Sequence, residues 1–166
     1  MCSTMPHPRL NLVLYQPQIP NNTGNIGRTA LATGCRLHII HPIGFSMDSK
    51  ARRRAGLDYW NDLDVVEHAD WDSYLEATRP ERVWLFTTAA ERSFRTPEYR
   101  TGDHLLFGRE DTGVPEELHE WVSSTQGPEH RVRIPMIRDP AARSLNLATV
   151  VAIGTYEALR TLPDGF

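Results

Sequence analysis

Cysteine is nearly absent from this sequence of 166 residues, in which only Cys2 and Cys35 occur. Two cysteines cannot build a disulfide framework, so we expect a protein of a reducing compartment. No run reaches the roughly 18 consecutive apolar residues of a membrane span, and the N-terminus lacks the apolar core of a signal peptide. The sequence therefore predicts a soluble cytoplasmic protein without a membrane partner. Its length predicts a single domain, 1–166, with residues 1–9 as a flexible tail.

Several catalytic signatures are also missing. The seven histidines show no HExxH spacing and neither cysteine belongs to a CxxC pair, so we predict no metal site. Without a G-x-S-x-G elbow, a hydrolase with a serine nucleophile has no support. The spacing of Gly24 and Gly27 fits neither GxGxxG nor a P-loop, which argues against a nicotinamide-dependent Rossmann oxidoreductase.

Lysine is almost absent as well, because Lys50 is the single lysine among 18 basic residues. The charge is uneven: residues 1–56 have a net charge of +6, residues 57–130 of −11 and residues 131–166 of +2. The total of −3 argues against indiscriminate nucleic-acid binding, but the two basic ends could form one basic face. The arginine run at 52–54 is either a solvated helix face or a set of phosphate contacts.

Short apolar runs alternate with helical patterns along the chain. Strands are predicted at 10–15, 36–40, 64–67, 82–87, 104–107 and 131–135, and helices at 25–33, 48–56, 71–78, 115–122 and 145–162. This alternation predicts an α/β fold with a mostly parallel sheet flanked by helices. Ligands of such sheets bind outside the carboxyl ends of the strands, so a site is expected in the loops that follow strands.

Two of those loops are rich in glycine. Residues 20–24 (PNNTG) predict a turn, and the loop 21–28 (NNTGNIGR) would expose backbone N–H groups at the N-terminus of the predicted helix. Residues 107–115 (FGREDTGVP) place Glu110 between Gly108 and Gly113, which would let a ligand approach the backbone closely. Taken alone, each loop is also compatible with an ordinary polar turn.

A third loop, residues 134–147 (IPMIRDPAARSLNL), leads into the longest predicted helix. Ser144 is predicted to cap that helix, and Asn146 to lie in its first turn. Capping alone does not require Arg143 and Asn146 beside the serine, so this loop is a further candidate for binding.

Taken together, the three loops resemble the motifs of SPOUT-class RNA 2′-O-ribose methyltransferases. The matching segments are 22–28, 107–115 and 134–147, followed by Tyr156 on the last helix. Within that class the short chain and its segment 53–60 (RRAGLDYW) are similar to the subfamily that methylates the ribose of the wobble cytidine or uridine of tRNA. The resemblance covers nearly the whole chain.

The resemblance implies a C-terminal trefoil knot, a homodimer, S-adenosylmethionine as the cofactor and tRNA as a partner. The cofactor contacts that it implies are Phe86, Gly108, Ile134, Ser144 and Leu145. The catalytic residues that it implies are Arg28, Asn22, Glu110 and Asn146. The RNA contacts that it implies are Arg28, Arg52, Arg53, Arg54 and Tyr156.

The resemblance implies that Arg28 corresponds to the residue proposed, in that family, to remove the 2′-hydroxyl proton. Arginine is a poor general base because its pKa exceeds about 12. We therefore expect Arg28 to anchor phosphate and to stabilise the developing alkoxide. One position departs from the family pattern, since Arg109 stands where relatives often have a small residue or proline.

Three alternatives stay open on the sequence alone. The same methyl transfer could act on ribosomal RNA or on another tRNA position, because the motifs would be the same. A Rossmann oxidoreductase fits the α/β pattern but lacks its glycine fingerprint. A non-enzymatic RNA-binding module fits the basic N-terminal part but would not need Gly108, Glu110 and Ser144.

Overall fold

A computed structural model describes residues 7–54 and 56–164, so most of the predicted tail at 1–9 and Cys2 lie outside the described residues. The strands are β1 (Asn11–Tyr15), β2 (Arg36–Ile40), β3 (Val65–His68), β4 (Val83–Phe86), β5 (His104–Phe107) and β6 (Arg131–Val132). The α-helices are α1 (Pro20–Thr33), α2 (Ser49–Arg54), α3 (Trp71–Thr78), α4 (Glu116–Thr125) and α5 (Leu147–Arg160). Within those two ranges, no helix has the length and apolar character to cross a membrane.

The six strands form one sheet in the order β3-β2-β1-β5-β4-β6, and every neighbouring pair is parallel. This confirms the predicted α/β class with a parallel sheet. From β1 the chain continues to β2 on one side, whereas from β5 it continues toward β6 on the other. The order therefore reverses between β1 and β5, and such a switch point is where open α/β sheets leave a crevice for a ligand.

Alternate residues of each strand pack on opposite faces of the sheet. Leu12 and Leu14 of β1 belong to the apolar layer that α1 and α5 cover, while Val13 belongs to the layer under α3 and α4. Both faces are buried, which explains why these strands read as continuous apolar runs rather than as alternating ones. α1 and α5 also pack against each other, so both helices reach the switch point from the same side.

The start of α1 differs from the prediction. Residues 20–24 were expected to form a turn, but they are the first turns of α1, with Pro20 in the opening turn. Proline suits that place because its ring fixes φ and the missing N–H would have had no helical partner. Gly24 and Gly27 lie inside the helix and serve close packing instead of a turn. A Cβ on Gly27 would lie 2.8 Å from Trp60 Cζ3.

Other differences concern element ends. A 3₁₀ helix at Asp58–Asp62 was not predicted, and β6 has two residues in place of the five expected. The predicted cap of α5, Ser144, is wrong: Asn146 caps the helix, and its side chain accepts hydrogen bonds from the Ala148 and Thr149 N–H groups at 2.9 and 3.3 Å. Asn146 is thus outside the first turn in which it was placed.

A polar cluster is buried between the sheet and α3. His38 in β2 contacts His68 Nε2 through Nδ1 at 2.9 Å and Asn11 Oδ1 through Nε2 at 3.0 Å. Tyr74 on α3 contacts His104 Nδ1 at 2.7 Å. These residues are called the histidine cluster below: Asn11, His38, His68, Tyr74 and His104.

Candidate active site

A cavity of about 570 Å³ opens at the carboxyl ends of β4 and β5, beside the switch point. All five residues predicted to contact the cofactor line it: Phe86, Gly108, Ile134, Ser144 and Leu145. Three of the four predicted catalytic residues line it as well: Asn22, Glu110 and Asn146. The three loops, which are far apart along the chain, therefore meet at one cavity.

Glu110 joins the two loops on either side of the switch point. Its Oε2 accepts the Gln18 N–H at 2.8 Å, and its Oε1 accepts the Ile19 N–H at 3.1 Å and Asn22 Nδ2 at 3.3 Å. The two backbone donors lie in the connection between β1 and α1, where N–H groups have no helical partner, and the third donor is the side chain of Asn22 in the first turns of α1. The carboxylate thus holds the β1–α1 connection against the loop after β5.

Asn22 extends this link to the third loop. Its side chain is 6% exposed, donates to Glu110 and accepts a hydrogen bond from Asn146 Nδ2 at 2.9 Å. Asn146 is at the same time the cap of α5, so its oxygen is held by the helix and its amide nitrogen points toward Asn22. Glu110, Asn22 and Asn146 are called the cavity network below.

The loop after β5 is closed on itself. Arg109 and Gly113 exchange two backbone hydrogen bonds of 3.0 Å, and Gly113 has a φ of 68°, which favours glycine. A Cβ on Gly108 would lie 2.4 Å from the Gly113 carbonyl carbon. Gly108 is therefore required for the loop to fold back beneath the cavity wall.

Arg109, which departs from the family pattern, is paired within its own loop. Its Nε and an Nη nitrogen contact the two carboxylate oxygens of Asp111, each at 2.9 Å. The guanidinium holds the pKa of Asp111 down to about 2. Arg109 lines the cavity in this paired state, so its charge is largely balanced at the rim.

Arg28 lies apart from the cavity network. It is exposed on α1 and lines a second, smaller groove of about 200 Å³. The reason is helical geometry: six residues separate Arg28 from Asn22, which turns it about 240° around the axis and moves it about 9 Å along it. The structure of one chain does not bring these two predicted catalytic residues together.

The remaining predicted RNA contacts are on the surface. Arg53 and Arg54 are exposed on α2, Arg52 is half-buried there, and Tyr156 on α5 is 52% exposed. The prediction missed several cavity residues, namely Thr87, Thr88, His119 and Val150. Thr87 follows β4 directly and is the last residue of the strand predicted at 82–87, so its place at the carboxyl end of a strand was the available signal. Burial lowers the pKa of His119, which lies on the outer helix α4 and gave no such signal.

The described residues, 7–54 and 56–164, contain no group of three or more His, Cys, Asp or Glu side chains that could hold a metal ion. The acidic residues of the cavity wall are occupied in other ways. Glu110 accepts hydrogen bonds from the β1–α1 connection, and Asp111 is paired with Arg109.

Comparison with known proteins agrees with this arrangement. The model of the SpoU rRNA Methylase family matches residues 9–156, which include all three loops. The chain belongs to the SpoU methylase family. It is a methyltransferase, and this overturns the oxidoreductase and the non-enzymatic RNA-binding module as alternatives.

Relatives of this SpoU methylase match it along nearly their full length. A tRNA (cytidine(34)-2′-O)-methyltransferase from Saccharophagus degradans is 43% identical over 152 residues, covering 92% of this chain and 95% of the relative. A solved structure concerned with 2-OH methylation of C/U34 on tRNA is 46% identical with a TM-score of 0.79, covering 92% of this chain and 95% of that chain.

A more distant structure is an rRNA methyltransferase from Sinorhizobium meliloti with AdoMet bound. It is 25% identical with a TM-score of 0.75, and the match covers 93% of this chain and 57% of that chain. The SpoU methylase described here thus shares its fold with proteins that act on different RNAs.

Proposed function

We propose that this protein transfers a methyl group from S-adenosylmethionine to the ribose 2′-hydroxyl of the wobble nucleotide, position 34, of tRNA. The observation that carries the proposal is the cavity network, which ties three family loops to one cavity. The relatives supply the substrate: the curated protein and the solved structure at 43% and 46% identity both concern nucleotide 34 of tRNA.

The cavity fits S-adenosylmethionine in size and in chemistry. Its volume of about 570 Å³ lies in the usual range for cofactor pockets. Phe86 and Ile134 give it apolar walls, and Gly108 lines it as well. When bound, S-adenosylmethionine supplies a methyl group on a positively charged sulfur.

The chain's own residues would orient the ribose and stabilise charge. Both carboxylate oxygens of Glu110 already accept hydrogen bonds, so we assign Glu110 to holding Asn22 rather than to taking a proton. Asn22 and Asn146 then present fixed amides to the cavity, which can position the ribose close to the methyl donor. Arg28 would stabilise the alkoxide as the hydroxyl loses its proton.

Arg28 leads us to propose a homodimer with shared sites. Because it lines a groove apart from the cavity of its own chain, Arg28 of one subunit would complete the cavity of the other. Such an interface would include the large side chains exposed on α1 and α5, which are Leu31, Ile153 and Tyr156. The trefoil knot near the third loop and a cytoplasmic location are further parts of this proposal.

The deciding experiment is methylation of unmodified bulk tRNA with labelled S-adenosylmethionine, followed by nuclease mapping. We expect label on the ribose at position 34, the position named for the curated relative. Label at another tRNA position, or on ribosomal RNA only, would keep the chemistry and refute the substrate. Absence of both labelling and binding of S-adenosylhomocysteine would refute the cofactor as well.

Shared sites can be tested with mixed dimers. Arg28→Ala and Ser144→Leu subunits, each with only a low residual activity alone, are refolded together. If the sites are shared, a mixed dimer contains one intact site, and about a quarter of wild-type activity returns at equal mixing for random pairing of subunits. Recovery of no activity, with dimers present by light scattering, would refute the shared site.

A further inference from the structure

The segment 53–60, which resembles the wobble-position subfamily, packs against α1 through two glycines. A Cβ on Gly24 would lie 2.8 Å from Leu57 Cδ2, and one on Gly27 would lie 2.8 Å from Trp60 Cζ3. Trp60 is 5% exposed and belongs to the main apolar core. The 3₁₀ helix that contains these residues is therefore anchored in a fixed position on the surface of α1.

Tyr59 stands between those two anchors and reaches α1 in two ways. Its hydroxyl donates a hydrogen bond to the Gly24 carbonyl oxygen. Its ring faces the Arg28 guanidinium, whose central carbon lies 5.2 Å from the ring centroid. That distance is within the roughly 6 Å at which a cation is attracted to an aromatic face.

The Tyr59 ring remains neutral in this position. Burial raises the pKa of Tyr59 above its ordinary value, although a hydrogen bond to Arg28 and the Arg28 charge act in the opposite direction. The guanidinium thus meets a neutral ring and its hydroxyl. A phenol occupies fewer of the five guanidinium N–H donors than a carboxylate would, so donors remain for a phosphate or an alkoxide.

We propose that Tyr59 is a positioning residue for Arg28. An exposed arginine samples many rotamers, and contact with an anchored ring removes most of them before RNA binds. The two side chains border the groove between α1 and the 3₁₀ helix, so the ring directs the cation to that groove. The inference rests on the proposed function, in which Arg28 stabilises the transition state.

The test is a double-mutant cycle on Tyr59 and Arg28. We expect Tyr59→Leu to lower kcat about tenfold with KM for tRNA changed less than about threefold, because the ring affects how Arg28 is held at the transition state. Tyr59→Phe keeps the ring and should stay within about twofold of wild type. In an Arg28→Ala background, Tyr59→Leu should change the residual kcat by less than about twofold.

Leu57→Ala is the matched control, because Leu57 packs on the same glycine without contacting Arg28 through a ring. Its melting temperature should fall at least as far as that of Tyr59→Leu, with kcat near wild type. If Tyr59→Leu lowers kcat equally in both Arg28 backgrounds, Tyr59 does not act through Arg28. If Leu57→Ala lowers kcat as much as Tyr59→Leu does, the effect belongs to the packing.

These outcomes are distinct from failure of the proposed function. Wild-type protein that labels ribosomal RNA in place of tRNA would refute the substrate, and the cycle would then be measured on that RNA. The proposal about Tyr59 would be refuted only by the double-mutant cycle on Tyr59 and Arg28 or by the Leu57→Ala control.

Discussion

Two groups of polar side chains connect several strands of this sheet, and they differ in their exposure to solvent. The cavity network lies at the carboxyl ends of the strands and faces an open cavity of about 570 Å³. The histidine cluster lies under α3, where His38, His68 and His104 are 3%, 5% and 7% exposed. Both groups are well hydrogen-bonded, so hydrogen bonds alone do not distinguish a binding site from a structural cluster. The distinguishing property is that a ligand can reach the cavity network from solvent, whereas it cannot reach the histidine cluster.

The protonation states show the same difference. Burial and the neighbouring rings lower the pKa of His38 to about 3, and burial, first among several causes, lowers that of His104 to about 4. A neutral His38 can donate from Nε2 to the Asn11 oxygen and accept at Nδ1 from His68, which satisfies both ring nitrogens. The histidine cluster therefore stays uncharged, whereas the cavity network is built around the carboxyl group of Glu110.

Gly108→Ala should have the largest effect of these variants. It should impair binding at the cavity and leave the histidine cluster intact. The added Cβ would lie 2.4 Å from the Gly113 carbonyl carbon and 2.6 Å from the Val114 nitrogen, both of them backbone atoms that cannot move aside cheaply. We expect affinity for S-adenosylhomocysteine, measured by calorimetry, to fall about 100-fold or more, which corresponds to about 3 kcal/mol. Glu117→Ala, exposed in the first turn of the helix that follows this loop and outside the cavity lining, is the control and should bind normally.

Glu110→Gln should come next, because the glutamine amide must direct its NH₂ group at one of three donors. With its oxygen toward Ile19 and Asn22, the NH₂ group faces the Gln18 N–H. The unmet hydrogen bond should lower the free energy of unfolding by about 1–3 kcal/mol. A drop in kcat of about tenfold or more should accompany it, since a mispositioned amide weakens catalysis.

Asp111→Asn is the matched control for Glu110→Gln. It removes one negative charge from the same loop, but at an exposed side chain whose ion pair with Arg109 stabilises little. Unfolding in urea and single-turnover methylation should both remain close to wild type. Equal losses in the two variants would mean that charge at the rim, rather than the cavity network, matters.

Acidification should destabilise the protein chiefly through the histidine cluster. Because the folded pKa values of His38 and His104 lie below the ordinary value near 6.5, stability is full above about pH 6.5 and declines as pH falls toward about 4. At pH 5 each ring should cost about 2 kcal/mol. Urea unfolding at pH 7.5, 6 and 5 measures this slope.

His38→Gln provides the internal comparison for that slope, because it removes one of the two rings with a lowered pKa. It should flatten the acid dependence of the free energy of unfolding. An unchanged slope would place the acid sensitivity outside the histidine cluster.

The sequence predicted the sheet well because apolar runs report burial on both faces. β2 and β5 begin and end where they were expected, at Arg36–Ile40 and His104–Phe107. The first turns of α1 were wrong because Asn, Thr and Gly are typical of turns, and only packing explains them. Gly24 and Gly27 leave room for Leu57 and Trp60, which are about thirty residues away in sequence.

The place of the candidate site was foreseen from the strand pattern, because the cavity lies in the loops after the strands. Its residues Phe86 and Ile134 were foreseen only through the family resemblance, and both line that cavity. The direction of each side chain was beyond reach, so Arg28 was grouped with Asn22 although the two face different sides of α1. The contact between Tyr59 and Arg28 escaped notice because it joins two segments whose packing no local pattern encodes.

Asn146 allows the smallest and most selective change in stability. Its oxygen caps α5 and its amide nitrogen contacts Asn22, so Asn146→Asp keeps the cap and removes the donor. Asn22 would then have to turn its own nitrogen toward residue 146 and its oxygen toward Glu110, where two acceptors would oppose each other. We expect the opposed acceptors to lower the free energy of unfolding by about 1 kcal/mol and to lower kcat, whereas Asn146→Ala should lose about 1 kcal/mol through the missing helix cap. If Asn146→Asp were fully active, Asn146 would be a helix cap only, and the cavity network would end at Asn22.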